Sequence, residues 1–320
     1  MSWKVIFPLL EEASSTLQGL FMPGDDLYSD EWADTSFHFR PHDISSRLND
    51  SASMVLTGSR NIRNLVISSG RITFEQFILC VTHCPLLVSF LIVVHEDLSY
   101  LKSSTIEDIH TLSHLTQLSL SSDDNVIGSY LDQLRCPSLG HLWLAQESEY
   151  DGNDTSWPHL TQFLRRSKPP LQELELHTIP MSLEDFTSSF QESPSMKSLN
   201  LDSMDLPDAL FPALTLSQER RALLPTLKFL TMLDCFVDSG GDHLPALVLS
   251  RWDCNCKPHY EREKITEHLP DCQGLQLLRI DDDLLPEEID ISETIEQGFN
   301  FVVNDFLYEV YRDLASDDSE

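Results

Sequence analysis

Glycine is scarce, 11 of 320 residues, which excludes a collagen-like chain. Positive charge is scarce too: 21 Lys and Arg stand against 52 Asp and Glu, a formal charge of −31. A surface of that sign repels phosphate, and no basic run relieves it, so nucleic acid is not an expected partner. The seven cysteines are Cys80, Cys84, Cys136, Cys235, Cys254, Cys256 and Cys272. An odd number at irregular spacing makes no disulfide framework. They read as reduced thiols, with a cytoplasmic or nuclear location expected. A secretory leader is not expected: the apolar run Val5–Leu10 is broken by Pro8 and followed by Glu11 and Glu12. The sequons at Asn49 and Asn153 then read as fortuitous.

Long apolar runs are also lacking. Gln76 to Val94 carries no formal charge, but it splits around His83 and Pro85 into a helix-period half and a strand-period half. No membrane span is therefore expected. The glycine-rich phosphate loops and the HExxH and GxSxG patterns are absent. A chain of this length forms one large or two ordinary domains and buries enough surface to need no metal or disulfide.

What is abundant is leucine, 51 residues, and it is spaced. A six-residue template (apolar, two others, apolar, one other, apolar) begins at Leu17, Ile62, Leu87, Leu115, Leu139, Leu171, Met196, Leu227 and Leu275. After Ile62 the steps are 25, 28, 24, 32, 25, 31 and 48 residues, mostly in or near the range of leucine-rich repeats. Residues four and six of the template share one face of a strand. LPALVL at Leu244 also fits, but it follows Leu227 by only 17 residues. It reads instead as a helix over Asp242–Trp252, with another over Pro258–Leu269.

Between templates the period turns helical. Phe74, Phe77, Ile78 and Val81 fall at helical spacing, with Thr73 and Gln76 as a capping box. Ile127, Leu131 and Leu134 repeat the pattern, as do Leu160, Phe163 and Leu164. Leu183, Phe186 and Phe190 follow Ser182 as N-cap, with Asp185 three residues on. Prolines 85, 137, 170, 194 and 225 stand just before strands, where they end a helix and are expected to hold the chain extended.

The fold class that follows is α/β: a leucine-rich-repeat solenoid with a curved parallel sheet on the concave side and helices on the convex side, since helices are wider than strands. Residues 1–61 form an N-terminal cap (a helix near Trp3–Leu10), a degenerate first repeat and an irregular acidic insertion, with a strand near Phe37 and Phe39. Residues 62–303 form the solenoid, closing with a helix over 287–297 and a strand in Gly298–Val303. Residues 304–320 are an acidic tail.

Template residues three and five point away from the core and line the concave face. Trp143, Glu173, Glu175, Asn200, Phe229 and Arg279 fall there, and His177 continues the row. An exposed Trp and Phe suit a protein interface, with basic partner groups facing the two acids. Enzymatic alternatives are weaker. Val237-Asp238-Ser239-Gly240-Gly241 and Val81-Thr82-His83-Cys84 are similar to the serine and histidine motifs of trypsin-like proteases, yet this chain cannot supply the double barrel. Asp238–Gly241 reads as a turn. Cys254, Cys256, His259 and Cys272 are zinc-ligand types at poor spacing and read as loop thiols. No catalytic residue, metal or cofactor is expected.

The Cys-Pro-Leu approach to a strand (Cys84-Pro85-Leu86), the irregular unit lengths and Leu249-Ser250-Arg251-Trp252 resemble the repeat half of fungal F-box proteins of the leucine-rich type. The resemblance covers about residues 1–305. It implies a receptor whose repeats hold the substrate of a cullin ubiquitin ligase, joined through an F-box to a Skp-type adaptor. No F-box is read before Leu17. The expected function is non-enzymatic protein binding on the concave face by a monomer. A scaffold without a ligase role is the alternative.

Overall fold

The computed structural model describes residues 19–22, 62–67, 74–94, 109–122, 126–146, 156–216, 223–237, 243–256, 274–281 and 299–304. The chain divides into two compact units. The first takes Met1–Glu149 and His159–Pro170, the second Tyr150–Pro158 and Leu171–Glu320. Both are α/β.

In the first unit five strands pair in parallel, in the order β1 (Gly19–Met22), β2 (Asn64–Ile67), β3 (Ser89–Val94), β5 (Gln117–Ser122) and β7 (His141–Gln146). A small parallel ribbon joins β4 (His110–Thr111) to β6 (Leu134–Arg135). The helices are α1 (Phe74–His83), α2 (Ile127–Asp132) and α3 (His159–Ser167). In the second unit the order is β8 (Glu173–His177), β9 (Ser198–Asp202), β11 (Phe229–Leu233), β13 (Leu277–Asp281) and β14 (Asn300–Asn304), again parallel. Its ribbon pairs β10 (Asp205–Leu206) with β12 (Phe236–Val237). Its helices are α4 (Leu183–Gln191), α5 (Leu210–Leu214) and α6 (Leu244–Cys256).

Each of the nine templates opens one of these parallel strands at its third residue, from Gly19 after Leu17 to Leu277 after Leu275. In the eight templates from Ile62 onward, all apolar positions are buried, none more than 6% exposed. Full burial of each such side chain stabilises by about 1.5–3 kcal/mol before entropy is counted. The helices pack on that same face. Phe77 of α1 stacks on Phe90 of β3 at 5.9 Å between ring centres, and Tyr130 of α2 meets Phe77 edge-on at 4.8 Å. Phe186 and Phe190 of α4 are likewise buried.

One carbonyl hands each strand to the next. The backbone oxygen of the second template residue accepts two successive N–H groups at the start of the following strand. Gln172 O accepts from Lys197 and Ser198, Lys197 O from Lys228 and Phe229, and Lys228 O from Gln276 and Leu277, at 2.7–3.1 Å. Val88 O and Thr116 O do the same in the first unit.

Four of the five prolines act differently from the extended role expected of them. Pro85, Pro137, Pro194 and Pro225 each occupy the second place of a four-residue turn. The N–H of Leu87, Leu139, Met196 and Leu227 donates back across it to Cys84, Cys136, Ser193 and Leu224, at 3.1–3.3 Å. The fixed φ of proline suits that place.

Helix ends follow local chemistry. Ser182 and Asp185 make the expected capping box on α4. Helix α2 stops at Asp132, and Leu134, expected in the helix, lies in β6. Helix α6 runs from Leu244 to Cys256, longer than the expected span, so the backbone of Cys254 and Cys256 is helical rather than loop. Two short helices are closed by an arginine from the following one. Arg166 of α3 donates from Nη2 to Leu131 O (2.7 Å) and from Nε to Leu134 O (2.9 Å) at the end of α2. Arg251 of α6, fully buried, donates to Leu214 O, the last carbonyl of α5 (2.6 and 2.9 Å), and to Leu223 O and Leu224 O (2.7 and 3.0 Å). Arginine at a helix C-terminus satisfies carbonyls that have no partner within the helix.

Gly128 in α2 lies against His159 at the start of α3: a Cβ there would stand 2.4–2.7 Å from the imidazole. His159 Nδ1 in turn lies 2.8 Å from Asp132 Oδ2. Gly128→Ala is expected to push the ring off Asp132 and destabilise by about 1–3 kcal/mol. A double-mutant cycle with His159→Ala checks this: most of the loss should vanish when the ring is absent.

The Gln76–Val94 window divides between α1 and β3, and no helix among the described residues is long and apolar enough to cross a membrane. The helices expected over Trp3–Leu10, Pro258–Leu269 and 287–297, the strand near Phe37 and Phe39, the cap at Thr73, and the tail after Asn304 lie outside the described residues.

Candidate functional site

In each unit the outward face of the parallel strands carries the residues singled out from the template. In the first unit, Val66, Leu91, Ser119 and Trp143 align in register across β2, β3, β5 and β7. All four are half-buried, so Trp143 faces outward but is only partly open to solvent.

The second unit carries the other six. Its strands bring the template positions into rows. The first row runs Glu173, Ser198, Phe229, Leu277, Asn300. The second runs Glu175, Asn200, Thr231, Arg279, Val302. The third begins His177, Asp202, Leu233. Glu173, Glu175 and Arg279 are exposed, and Asn200 and His177 are half-buried. Phe229 is 39% and Val302 40% exposed, large apolar side chains facing water from within strands.

The alternation of Leu with polar residues in Glu173–His177 sets this geometry. Leu174 and Leu176 are drawn into the core, which turns Glu173, Glu175 and His177 outward. At the strand ends the backbone turns left-handed at Thr178, Ser203 and Asp234, with φ of 55°, 52° and 49°. Each N–H there continues the hand-over: Thr178 N–H donates to Asp202 O, Ser203 N–H to Leu233 O, and Asp234 N–H to a carboxylate oxygen of Asp281.

Two members of the face escaped the template although the signal was present. Asp202 is the seventh residue of its unit, as His177 is of the previous one. His177 Nδ1 lies 3.1 Å from Asp202 Oδ2. The hydrogen bond from His177 holds the Asp202 carboxyl below its ordinary value, against the opposing effect of burial. A depressed carboxylate adds stability that is present above the unfolded value near pH 4 and is lost as the pH falls through the lower folded one. Carboxyl NMR titration should place the Asp202 midpoint below the ordinary range, and His177→Ala should move it back up. Val302 is the second: it is the fifth residue of GFNFVV, which follows the template rhythm from Gly298. Asn200 Oδ1, in the middle of the face, is buried and has no hydrogen-bond donor.

Groups with other chemistry are dispersed. Burial pushes the thiols of Cys80, Cys136 and Cys235 up to about 12 and that of Cys84 up to about 11, so they stay protonated and poor as nucleophiles. His83 ends α1, and Val237 ends β12; Asp238–Gly241, His259 and Cys272 lie outside the described residues. Among the described residues no three His, Cys, Asp or Glu side chains gather closely enough to hold a metal ion. What the outward face of the second unit offers is a graded surface: acidic at β8, polar at β9, apolar and basic at β11 to β14.

No protein-family model matches this chain, and no curated protein does.

Proposed function

We propose that this chain is a non-enzymatic protein-binding module of the leucine-rich-repeat type, and that it serves as the substrate-recognition part of an F-box-type ubiquitin ligase receptor. The observation that carries the repeat reading is the shared register. In the second unit the third residue of one template pairs with the third of the next, and the fifth with the fifth, through four successive strands from β8 to β13. Repeating units with the strand on one side and the wider helix on the other form a solenoid that curves toward its sheet. The outward residues then line the inner surface, where a protein partner docks. In the first unit Trp143 lies on such a surface, and in the second Glu173, Glu175, His177, Asn200, Phe229 and Arg279 lie on its own.

The ligase role rests on resemblance: the Cys-Pro turn before β3 and the Leu249–Trp252 motif. Arg251 of that motif is the buried arginine that ties α6 to α5. The test is co-purification of the full chain with a Skp-type adaptor, followed by binding measured with the purified pair. A stoichiometric complex supports the ligase role. Absence of binding between the purified proteins overturns it and favours a scaffold, which the face itself serves equally well.

A further inference from the structure

On the outward face of the second unit, acid and apolar groups sit at a fixed spacing. Glu173 on β8 and Phe229 on β11 belong to one row, two strands apart. At about 4.8 Å per strand this is roughly 10 Å. Leu277 follows Phe229 in the row, and Glu175 neighbours Glu173 on the same strand face. Between the two regions lies the polar Asn200, in register with Glu175 and Thr231.

We propose that this face takes a protein segment carrying a Lys or Arg about 10 Å from a large apolar side chain, the cation seated over Glu173 and Glu175 and the apolar group over Phe229 and Leu277. The inference rests on the protein-binding reading above and names the partner's chemistry. Charge complementarity supports it, since a chain of net charge −31 steers basic partners toward itself and the carboxylates fix where the cation lands. An aromatic side chain already in the open supplies the anchor without a rearrangement. The spacing corresponds to about three residues of polyproline II chain or about seven of helix, both of which bring the two side chains to one side.

Selection of a random dodecapeptide phage library on the purified full chain tests the proposal, followed by titration of synthetic versions of the enriched peptides. The expected result is enrichment of Lys or Arg three or seven residues from Leu, Ile, Met, Phe or Trp. Affinity should fall at least tenfold on E173K/E175K and at least tenfold on F229S, while E184K/D205K, with the same change in net charge, shifts it less than twofold. Should the charge reversal fail to fold, E173Q/E175Q removes the two charges with little change of shape and is expected to lose binding in the same way. Peptides of other chemistry that still lose binding on E173K/E175K and F229S would overturn the proposed partner while leaving the face as a binding site. Basic peptides equally weakened by E184K/D205K would show attraction to net charge alone and overturn it. No enriched peptide, or enriched peptides indifferent to all these variants, overturns both the partner and the face.

Discussion

Replacing Arg251 with methionine is expected to destabilise the second unit by about 3–5 kcal/mol. The side chain is fully buried, and its guanidinium spans the last carbonyl of α5 and the turn that precedes β11. Leu224 O keeps the turn hydrogen bond from Leu227 N–H when the arginine is removed. The loss therefore falls on Leu214 O and Leu223 O, each an acceptor left in a dry place at about 1–3 kcal/mol. Methionine relieves the desolvation of a buried cation, which offsets part of this, but it restores no donor. Denaturant unfolding with the slope held in view measures the change. Arg251→Lys should recover less than half, because an ammonium cannot fork between carbonyls on two segments. A loss below about 1 kcal/mol for the methionine variant would mean that water or backbone movement satisfies both oxygens.

The second large effect is expected at Asp185. Its carboxylate accepts from Ser182 Oγ at 2.6 Å and Ser182 N–H at 3.2 Å, which closes the capping box of α4. It also accepts from Trp157 N–H at 2.8 Å and Ser156 Oγ at 3.2 Å, fastening the 156–157 segment to the start of that helix. Loss of the cap costs about 1 kcal/mol. The buried Trp157 N–H adds about 1–3 kcal/mol once its partner is gone. Asp185→Ala should therefore cost about 2–4 kcal/mol, and the Trp157 amide should exchange faster with solvent hydrogen. Unchanged exchange at Trp157 would limit Asp185 to a local cap.

These two residues also mark what could be read from the chain. Asp185 stands three residues after Ser182, before Phe186 and Phe190, and that spacing alone announces a helix start. Its second pair of donors comes from a segment 28 residues earlier, which no local pattern reveals. Arg251 looks like a polar residue on an amphipathic helix; its three carbonyl partners lie 27–37 residues back. The strands were legible because leucine at a two-residue period is a strong local signal. The ribbons β4–β6 and β10–β12 have two residues per strand, too few to show a period. Helix α5 was hidden by Pro212. That proline is the third residue of the helix, where its missing N–H leaves no intrahelical bond unmade. The face was legible in outline, since phase alone put Glu173, Glu175 and Phe229 outside. Phase could not say that Trp143 is half covered, or that His177 is held by Asp202.

The carbonyl that serves two N–H groups has a further consequence. Gln172 O, Lys197 O and Lys228 O do the same work for successive strands. Excision of residues 196–226 would bring Lys228 N–H and Phe229 N–H to Gln172 O in place of Lys197 N–H and Ser198 N–H, so the strand joint is kept, but it would also remove Leu214 O, Leu223 O and Leu224 O and would need Arg251 replaced by an apolar residue. Strands that dock through the same socket are interchangeable parts, so this stretch of chain lengthens or shortens by whole pieces, and the width of the surface it presents changes in steps of one strand.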